Sequence, residues 1–330
     1  MAKPSVSVIV AARNEEKHLP ALIKALLSQE YPDFEVIIVN DRSSDTSKSL
    51  LNEAANHSPN LQVIHIDTLP EGWTGKKHAL SQGISQARNE IILLTDADCL
   101  PKSTRWISQM AGDFSADTDI VLGVSPYSVD QRILGQFIQL ETLWTAIQYL
   151  SLALAGHPYM GVGRNLAYRK ALFEKTGFGE DRVYEGGDDD IFVSQHATGT
   201  NTGICIAPEA QMLSIPKRSW RMYFKQKIRH LSAGKRYRKK DQTRLGIFAL
   251  ASLVGWILFF VLIFISKNLL LILVLFGIRS LSFYSIFTRS GQKLAVNYPW
   301  WALPFFDLCY VIIFPWLGSI ALVAKRIKWI

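Results

Sequence analysis

The sequence predicts an α/β domain built on a mostly parallel sheet, followed by a helical membrane region. Two observations lead to this prediction. Up to Arg244, short apolar runs rich in valine and isoleucine alternate with segments of helical periodicity, the pattern of repeated strand–helix–strand units. From Leu245 onward, long apolar stretches replace this alternation, and they match the length of a helix that crosses a bilayer.

Strands and helices follow each other regularly in the first region. The β-branched runs predict strands at Val6–Val10, Glu35–Val39, Leu61–Ile66, Ile91–Leu94 and Ile120–Val124. Helical periodicity predicts helices at Glu15–Ser28, Ser44–Asn56, Lys76–Ala87 and Lys102–Phe114. Asn14 is the expected cap of the first helix. Because such alternation favours right-handed crossovers, we expect a Rossmann-like sheet, an architecture typical of nucleotide binding in general.

Apolar stretches in residues 245–330 are candidates for membrane-spanning helices. They are Leu245–Ile265, Leu269–Phe287 and Ala302–Ala324. The first is apolar throughout, whereas the second contains Arg279 and the third contains Asp307 and Pro315. A buried core helix is the alternative for each, and a re-entrant or interfacial segment is a further alternative for the last two. The sequence therefore predicts two or three crossing helices.

Basic residues concentrate just before the first apolar stretch. The formal net charge is +8. The cluster comprises Lys217, Arg218, Arg221, Lys225, Lys227, Arg229, Lys235, Arg236, Arg238, Lys239, Lys240 and Arg244. Because the cluster adjoins a membrane segment, anionic lipid explains it more simply than nucleic acid, and we expect no nucleic-acid partner. Residues 231–244 are thus predicted to form a basic juxtamembrane segment.

The same positive charge predicts the orientation of the protein. The positive-inside bias places the N-terminal domain, residues 1–230, in the cytoplasm, as part of a multi-pass protein of the inner (cell) membrane. Residues 1–10 lack the pattern of a signal peptide. The basic tail Lys325–Lys328 also favours the cytoplasm, which an odd number of crossings would not allow. The exact number of crossings therefore stays open.

Residues 133–155 form a long, mostly apolar segment with Glu141 near its middle. We interpret this segment as an amphipathic helix that lies on the membrane interface or on the domain. A further membrane span is the alternative.

Two aspartates end the apolar run Ile91–Asp98. Asp96 and Asp98 flank one small residue just past the fourth predicted strand. In an open α/β sheet, ligands bind beyond the carboxyl ends of the strands. Two carboxylates there form a hard oxygen site, suited to Mg²⁺ or Mn²⁺ that bridges phosphate oxygens. The alternative is that an aspartate caps the next helix, Lys102–Phe114.

Three further segments lie at corresponding strand ends or helix starts. Asp41 ends the second strand, where it can accept hydrogen bonds from a nucleobase or ribose, or cap the next helix. Ala11–Glu15 follows the first strand with small residues that allow a ligand to approach. The glycine-flanked loop Gly72–Lys77 brings lysines to a helix N-terminus, a combination that favours phosphate. Its glycine spacing is not that of a Walker loop.

Two segments later in the chain carry charged residues in short motifs. Glu185–Phe192 packs a run of aspartates behind two glycines. Like charges this close raise the pKa of at least one carboxylate, which suits a general base, although a solvated capping turn is the alternative. In Gln226–His230, a guanidinium could bind a pyrophosphate through two parallel hydrogen bonds. A lipid-facing basic helix is the alternative there.

Together these segments resemble family 2 glycosyltransferases of the inverting, GT-A type with a membrane-embedded C-terminus. The matching motifs are AARNE at Ala11–Glu15, VNDRSSDTS at Val39–Ser47, GKKHAL at Gly75–Leu80, TDADC at Thr95–Cys99, GVGRNLAYRK at Gly161–Lys170, GDDDIF at Gly187–Phe192 and QKIRH at Gln226–His230. They run in the family's order and cover the chain from its start to about His230. The combination is specific, although no single motif is.

The resemblance implies a donor site. Its nucleotide-sugar-binding residues would be Ala11, Arg13, Glu15, Asp41, Lys76, Asp96, Gln226, Arg229 and His230. Within this set, Asp41 and Glu15 would contact the nucleoside and Lys76 the phosphates. Asp98 would bind the metal, Mg²⁺ or Mn²⁺, with Asp96 as its companion on the nucleotide or sugar. His230 replaces the tryptophan of the family's Gln-x-x-Arg-Trp motif, which could add a titrating group there.

The resemblance also implies a catalytic base and a second pocket. The family's base belongs to a Glu-Asp motif, whose glutamate is replaced here, so that the aspartate run aligns ambiguously. We favour Asp188, with Asp189 and then Asp190 as alternatives. Residues Gly163, Arg164 and Asn165 would line the pocket for the acceptor or sugar.

We therefore expect a membrane-bound enzyme that transfers one sugar from a nucleotide sugar, UDP-linked, to a lipid acceptor at the cytoplasmic face. The loop Gly72–Lys77 and the Gln226–Arg229 motif resemble the ceramide-glucosyltransferase-like, lipid-modifying branch. A processive polysaccharide synthase is the enzymatic alternative, although two or three spans are few for a polymer channel. A non-catalytic membrane adaptor is the alternative from another class, although the acids it would be free to lose are present.

Overall fold

The computed structural model describes residues 3–323, so the basic tail Lys325–Lys328 lies outside the described residues. The described chain divides into two compact units. The first contains residues 3–128 and 149–215, and the second contains residues 129–148 and 216–323. The chain passes between the units three times, at 128/129, 148/149 and 215/216, within the region that was predicted as one N-terminal domain.

The first unit is organised around a sheet. Its strands are β1 Val6–Ala12, β2 Phe34–Asp41, β3 Leu61–Ile66, β4 Ile91–Asp96, β5 Cys99–Pro101, β6 Ile120–Leu122, β7 Leu166–Arg169, β8 Thr202–Ile204 and β9 Met212–Ser214. In the described residues a seven-stranded sheet has the order β3-β2-β1-β4-β7-β6-β8, and β5 pairs with β9 beside it. Strands β1 to β4 are parallel, as predicted, whereas β7 runs antiparallel to both β4 and β6.

The helices connect these strands and then continue into the second unit. They are α1 Leu19–Leu27, α2 Ser47–Asn56, α3 Gly75–Gln86, α4 Trp106–Gly112, α5 Ile133–Leu154, α6 Lys170–Thr176, α7 Asp190–His196, α8 Trp220–Ala233, α9 Lys239–Ile265, α10 Leu269–Lys293 and α11 Leu303–Val323. Every residue of β1 is buried, which explains why its sequence is apolar on both faces apart from Ser7, whose hydroxyl donates to Glu35 Oε1 at 2.6 Å. Helix α3 packs closely on the sheet, because a Cβ at Gly83 would lie 2.7 Å from the Ile9 side chain.

Strand direction brings distant parts of the sequence to one edge of the sheet. In the parallel pair β1–β4, Asp96 is opposite Ala11, so the carboxyl ends of both strands coincide. In the antiparallel pair β4–β7, Leu94 is opposite Leu166, so β7 begins where β4 ends. The turn Gly163–Asn165, which precedes β7, therefore lies beside the two aspartates of β4. The sequence did not predict β7 or this juxtaposition.

Three helices begin later than predicted: α1, α2, which begins at Ser47 rather than Ser44, and α4. For α1 and α4 the difference has a local cause. Helix α1 begins at Leu19 rather than Glu15 because Asn14 adopts φ 56° and its side chain accepts a hydrogen bond from Ser44 N instead of capping a helix. Helix α4 begins at Trp106 rather than Lys102 because Cys99–Pro101 forms β5. Asp98 thus precedes a strand, and the alternative that it caps the next helix is wrong.

In the second unit, three helices are long and apolar enough to span a membrane, among the residues described. The first of them, α9, begins before the predicted Leu245. Its start is held by Asp241, which is 2.8 Å from Arg238 Nε and 3.6 Å from Arg244 Nη1. The second, α10, continues past the predicted Phe287 to Lys293. The basic residues that precede the apolar core are therefore partly helical.

The charges that interrupted two predicted spans pair with each other. The Arg279 guanidinium on α10 donates two hydrogen bonds to the Asp307 carboxylate on α11, one of them 3.0 Å long. The guanidinium also lies over the rings of Trp256 and Phe276 at 5.5 and 5.6 Å from their centroids. Paired charges are far less costly in a membrane than single ones, so both helices remain compatible with crossing.

Helix α5 is buried along most of its length and has no continuous exposed apolar face. In the second unit, Phe137 packs against Tyr223 and Phe306, with centroid distances of 5.9 and 5.6 Å. The Glu141 side chain is 2% exposed and forms an ion pair with Lys227, with 2.5 Å between Glu141 Oε2 and Lys227 Nζ. The midpoint charge of α5 therefore has a partner within protein.

Candidate active site

The two aspartates at the end of β4 form the acidic centre of the first unit. The ligand atoms of Asp96, Asp98 and Cys99 all lie within 4.8 Å of one another. Burial, together with the charges of Asp98 and Asp96, raises the pKa of the Cys99 thiol, which therefore stays protonated. The usable ligands are thus two carboxylates, a donor set that fits a hard divalent cation such as Mg²⁺ or Mn²⁺.

Lys76 connects this centre to the second acidic segment. Its Nζ lies 2.8 Å from Asp96 Oδ1 and 2.8 Å from Asp188 Oδ2. Burial disfavours the charged amine, but the charges of Asp188, Asp96 and Asp189 outweigh burial and raise the pKa of Lys76 well above its ordinary value. Lys76 is therefore a permanent cation at the strand edge, with 24% of its side chain exposed.

The next residue, Lys77, has a different environment. It is 1% exposed, and its Nζ donates hydrogen bonds to the carbonyl oxygens of Asp181 at 2.8 Å and Tyr184 at 3.1 Å. Thr74 N also donates to Arg182 O at 2.9 Å. These contacts attach residues 181–184 to the start of α3. Sequence reasoning assigned Lys76 of the loop to the phosphates and missed this attachment by Lys77.

The consecutive aspartates have separate environments. Asp189 Oδ1 accepts a hydrogen bond from Asp190 N at 2.8 Å and so caps α7. Its other oxygen, Oδ2, accepts a hydrogen bond from Gly163 N at 2.5 Å. Asp190 Oδ1 accepts from Ile191 N at 2.8 Å. Asp188 is the aspartate whose carboxylate pairs with Lys76.

The pKa values of the neighbouring carboxyls move in opposite directions. Burial raises the pKa of Asp188, but the Lys76 charge outweighs this and the net pKa is lowered. Burial and the Asp188 charge together raise the pKa of Asp189. Asp188 is therefore ionised at neutral pH beside a fixed cation.

The turn Gly163–Asn165 is held rigidly at the same edge. Asn165 is fully buried, and its Nδ2 donates to Val124 O at 2.9 Å and to Ala210 O at 2.8 Å. Its Oδ1 accepts from Trp106 Nε1 at 2.9 Å. Asn165 therefore orients the turn from the core side, while the Arg164 guanidinium lies 4.6 Å from the centroid of the Tyr127 ring.

Asp41 lies at the end of β2, close to the start of α3. It is 1% exposed, and its two oxygens accept from Arg42 Nε at 2.7 Å and Arg42 Nη2 at 2.9 Å. A Cβ at Gly75 would lie 2.4 Å from Asp41 Oδ2, so only glycine allows this close approach. Sequence reasoning missed Arg42, although its position directly after Asp41 in a strand-end turn was a signal.

The other predicted residues of the first strand's end occupy different surroundings. Ala11 is 9% exposed and Arg13 is exposed. Glu15 Oε2 lies 2.6 Å from His18 Nδ1, and Glu15 N donates to Ser47 Oγ at 3.0 Å.

The remaining predicted residues lie on α8 in the second unit. There, Arg229 Nη2 is 3.5 Å from His230 Nε2, and His230 is exposed. Gln226 lies one turn before His230 on the same helix. The structure thus brings Asp96, Asp98, Lys76, Asp188 and the 163–165 turn together within the first unit.

Comparison with known proteins gives a family match. Residues 7–177 match the model of the family described as "Glycosyl transferase family 2". The probable glycosyltransferase YdaM of Bacillus subtilis is 26% identical over 235 residues, which cover 68% of this chain and 54% of that protein. The chain thus spans about half the length of the curated relatives it matches.

A second relative is named as the synthase of a glycolipid. The β-monoglucosyldiacylglycerol synthase of Synechocystis is 26% identical over 222 residues, which cover 63% of this chain and 43% of that protein. Among solved structures, the mannosyltransferase PcManGT from Pyrobaculum calidifontis, in complex with GDP-Man and Mn²⁺, is similar with a TM-score of 0.59. That match is 20% identical and covers 93% of this chain and 88% of the other, which establishes a shared fold.

Proposed function

The chain belongs to glycosyl transferase family 2, and on this premise we propose that it transfers a sugar from a nucleotide sugar to a membrane lipid at the cytoplasmic face. Family membership makes the protein a glycosyltransferase with the GT-A fold. The observation that carries the proposal is the ion-pair network in which Lys76 joins Asp96 to Asp188. It combines an acidic metal-type centre, a fixed cation and a second carboxylate at one strand edge.

Asp98 and Asp96 are the proposed ligands of the divalent cation. Their carboxylates suit Mg²⁺ or Mn²⁺, which when bound would neutralise charge on the leaving nucleoside diphosphate. Lys76 would add a permanent positive charge at the same leaving group, because its pKa is raised by the acids around it. In the absence of substrate, Asp96 and Asp188 provide the counter-charges for this lysine.

Asp188 is the proposed general base. It would accept the proton of the acceptor hydroxyl while the oxygen attacks the anomeric carbon and the bond to the diphosphate breaks, which inverts that carbon in one displacement. Asp189 and Asp190 suit this role less well, because both accept hydrogen bonds from backbone N–H groups at the start of α7. Their role would be to hold Asp188 in position.

The nucleoside is proposed to bind beside β1 and β2. Asp41 offers a buried carboxylate to the base or ribose, close to Ala11, Arg13 and Glu15 at the neighbouring strand end. Gln226, Arg229 and His230 of α8 are proposed to contact the nucleotide sugar, with UDP as the nucleotide. Gly163 and Arg164 would line the sugar or acceptor pocket, with Asn165 orienting them from the core.

The proposed acceptor is a membrane lipid. Three helices that could span a bilayer and the basic residues around 217–244 support a membrane location. The name of the Synechocystis relative supports a glycolipid product for this chain. We accordingly propose the lipid-modifying, ceramide-glucosyltransferase-like branch, an inner-membrane location and a membrane region of residues 245–330.

The proposal is tested with the full chain purified in lipid. A panel of UDP- and GDP-sugars is offered with membrane lipids, and mass spectrometry identifies any product. We expect a lipid carrying one sugar, formed only with added Mg²⁺ or Mn²⁺. Asp98→Ala should lower the transfer rate at least about 100-fold, because it removes the main metal ligand.

Asp117→Ala is the matched control, since Asp117 is an exposed aspartate of the same unit. It should leave the rate unchanged. Full activity of Asp98→Ala would refute the metal assignment, and a long polymer as product would refute the single-transfer reaction.

A further inference from the structure

Arg164 has an environment that neither the metal site nor the base explains. The Arg164 guanidinium is partly buried, and its Nη1 atom has no hydrogen-bond partner within residues 3–323. Arg164 belongs to the turn Gly163–Asn165, which precedes β7 and lies beside the end of β4, next to the acidic centre. A buried charged donor without an acceptor is unfavourable, so its retention calls for a ligand that supplies one.

The surrounding residues hold this guanidinium in one position. The Tyr127 ring supports one face of it at 4.6 Å. On one side of Arg164, Gly163 N is fixed by Asp189 Oδ2 at 2.5 Å, and on the other side Asn165 is fixed by three hydrogen bonds. The Arg164 side chain therefore has little conformational freedom to lose when a ligand binds, as expected of a preformed site.

We infer that Arg164 binds an anionic, phosphate-type oxygen of a substrate beside Asp96 and Asp98. The inference rests on the proposed function, which places Arg164 only as a lining residue of the sugar or acceptor pocket, and it adds the chemistry of the group that the guanidinium binds. A guanidinium is suited to such an oxygen, because its planar N–H groups match phosphate and carboxylate geometry. The oxygen belongs either to the diphosphate of the donor or to an acidic group of the acceptor.

A purely structural role for Arg164 predicts different behaviour. In that role the guanidinium would only offset the charge of Asp96 and Asp98. Its removal would then change the affinity for a metal ion alone and would leave the affinity for nucleotide and acceptor as it was. Metal and nucleotide binding must therefore be measured separately.

The test compares the full chain in lipid with its Arg164→Gln and Arg164→Lys variants. Calorimetry measures the binding of UDP and of GDP in EDTA, and the binding of Mn²⁺ without nucleotide. If the donor supplies the oxygen, Arg164→Gln should weaken binding of the preferred nucleotide roughly 10- to 100-fold, and Arg164→Lys should recover part of it. If the acceptor supplies the oxygen, nucleotide affinity is unchanged and the KM for the acceptor rises by a similar factor.

Arg105→Gln is the matched control, because Arg105 is an exposed arginine of the same unit, paired with Glu209 at 2.9 Å. It should change none of these values. Unchanged nucleotide affinity together with unchanged acceptor KM in Arg164→Gln overturns the inference. If wild-type protein binds no nucleotide at all, the proposed function itself fails, which is a distinguishable result.

A second variant covers the case in which Arg164→Gln does not fold. Tyr127→Leu keeps the guanidinium but removes the ring that supports it. We expect Tyr127→Leu to weaken the same step as Arg164→Gln, nucleotide affinity or acceptor KM, but by a smaller factor. Equal values for Tyr127→Leu and wild type would count against a preformed site.

Discussion

Lys76 and Lys77 are adjacent in sequence, yet their side chains have unrelated partners. Neighbouring residues of a helix point about 100° apart, so the first turn of α3 directs Lys76 to the acids and Lys77 to backbone carbonyls. The sequence indicated a cationic helix start, and the family resemblance favoured Lys76 for the donor site, which stays a prediction. It could not indicate Lys77's role, because the carbonyls it contacts belong to residues more than a hundred positions later.

The pairing of Lys76 with Asp188 predicts a pH effect. The pKa of Asp188 is lowered because the Lys76 charge outweighs burial, so this proposed base is a carboxylate throughout the neutral and mildly acidic range. In Lys76→Gln, burial acts without that charge, and the pKa should rise above the usual value of about 3.9. The acid limb of the rate profile should therefore move to higher pH, in addition to a lower maximal rate.

This is measured as kcat of the transfer between pH 4.5 and 8. Lys48→Gln is the control, since Lys48 is an exposed lysine with 54% of its side chain accessible. An acid limb at the same pH in Lys76→Gln and wild type would mean that Asp188 is not the titrating base.

At the scale of single residues, composition alone could not separate the three aspartates after Gly187. The sequence predicted that one of them is a base and left the choice open. What distinguishes them is which oxygens accept backbone N–H groups, and that depends on where α7 begins and on the contact with Gly163. Such contacts are properties of the folded chain.

At the scale of elements, β2 is tied to the segment before β4 through a buried glutamate. Glu35 Oε1 accepts from Ser7 Oγ at 2.6 Å and from Arg88 N at 2.7 Å, while Oε2 accepts from Arg88 Nε at 2.9 Å. Burial raises the pKa of Glu35, but these hydrogen bonds outweigh burial and the net pKa is lowered. Three neighbouring elements thus share one carboxylate.

Replacing this carboxylate should weaken the domain in a pH-dependent way. Because the folded-state pKa of Glu35 is lowered, its contribution is present above the unfolded value of about 4.3 and is lost as the pH falls through the folded value. Glu35→Gln should lower the free energy of unfolding at pH 7 by about 1–3 kcal/mol and should be less sensitive to acid than wild type.

Thermal midpoints in detergent at pH 7 and pH 4 check this expectation. Glu53→Gln on the exposed side of α2 is the control. An equal loss for Glu35→Gln at both pH values would contradict the assigned role of the charge.

The elements that the sequence predicted are those with long, uniform patterns. Strands β1 to β4 and their parallel arrangement were predicted because each contains apolar, mostly β-branched residues and alternates with a segment of helical periodicity. The later strands β7, β8 and β9 have three or four residues each, which is too short for periodicity to show. As a result, the antiparallel neighbour of β4 emerged only from the structure, although the family resemblance had already implied that Arg164 lines the acceptor or sugar pocket.

At the scale of the whole molecule, the membrane-type helices show how two unfavourable features can offset each other. Arg279 and Asp307 each weakened the prediction of a span, because a single charge is costly in hydrocarbon. Sequence patterns treat each stretch separately and could not pair them. The structure joins them across α10 and α11.

Replacing only one residue of the Arg279–Asp307 pair should therefore destabilise the protein more than replacing both. Asp307→Leu leaves Arg279 without its counter-charge and should lower the thermal midpoint in detergent and the yield of membrane-inserted protein. The double variant Arg279→Leu/Asp307→Leu should recover most of the thermal midpoint and most of the yield, because it replaces the pair by apolar side chains. Arg289→Gln, at an exposed arginine of α10, is the control. A double variant as unstable as the single one would argue against the pair.

The division of the chain into two interleaved units has a consequence for how the protein is made. Residues 129–148 leave the ribosome before the rest of their own unit, because that unit resumes only at residue 216. Until the later helices are synthesised, Phe137 and Trp144 lack the rings of Phe306 and Phe287 that eventually cover them. The nascent chain therefore carries an apolar helix while residues 149–215, which include the 163–165 turn and Asp188, are synthesised. During that time the helix needs shielding by a chaperone or an early encounter with the bilayer.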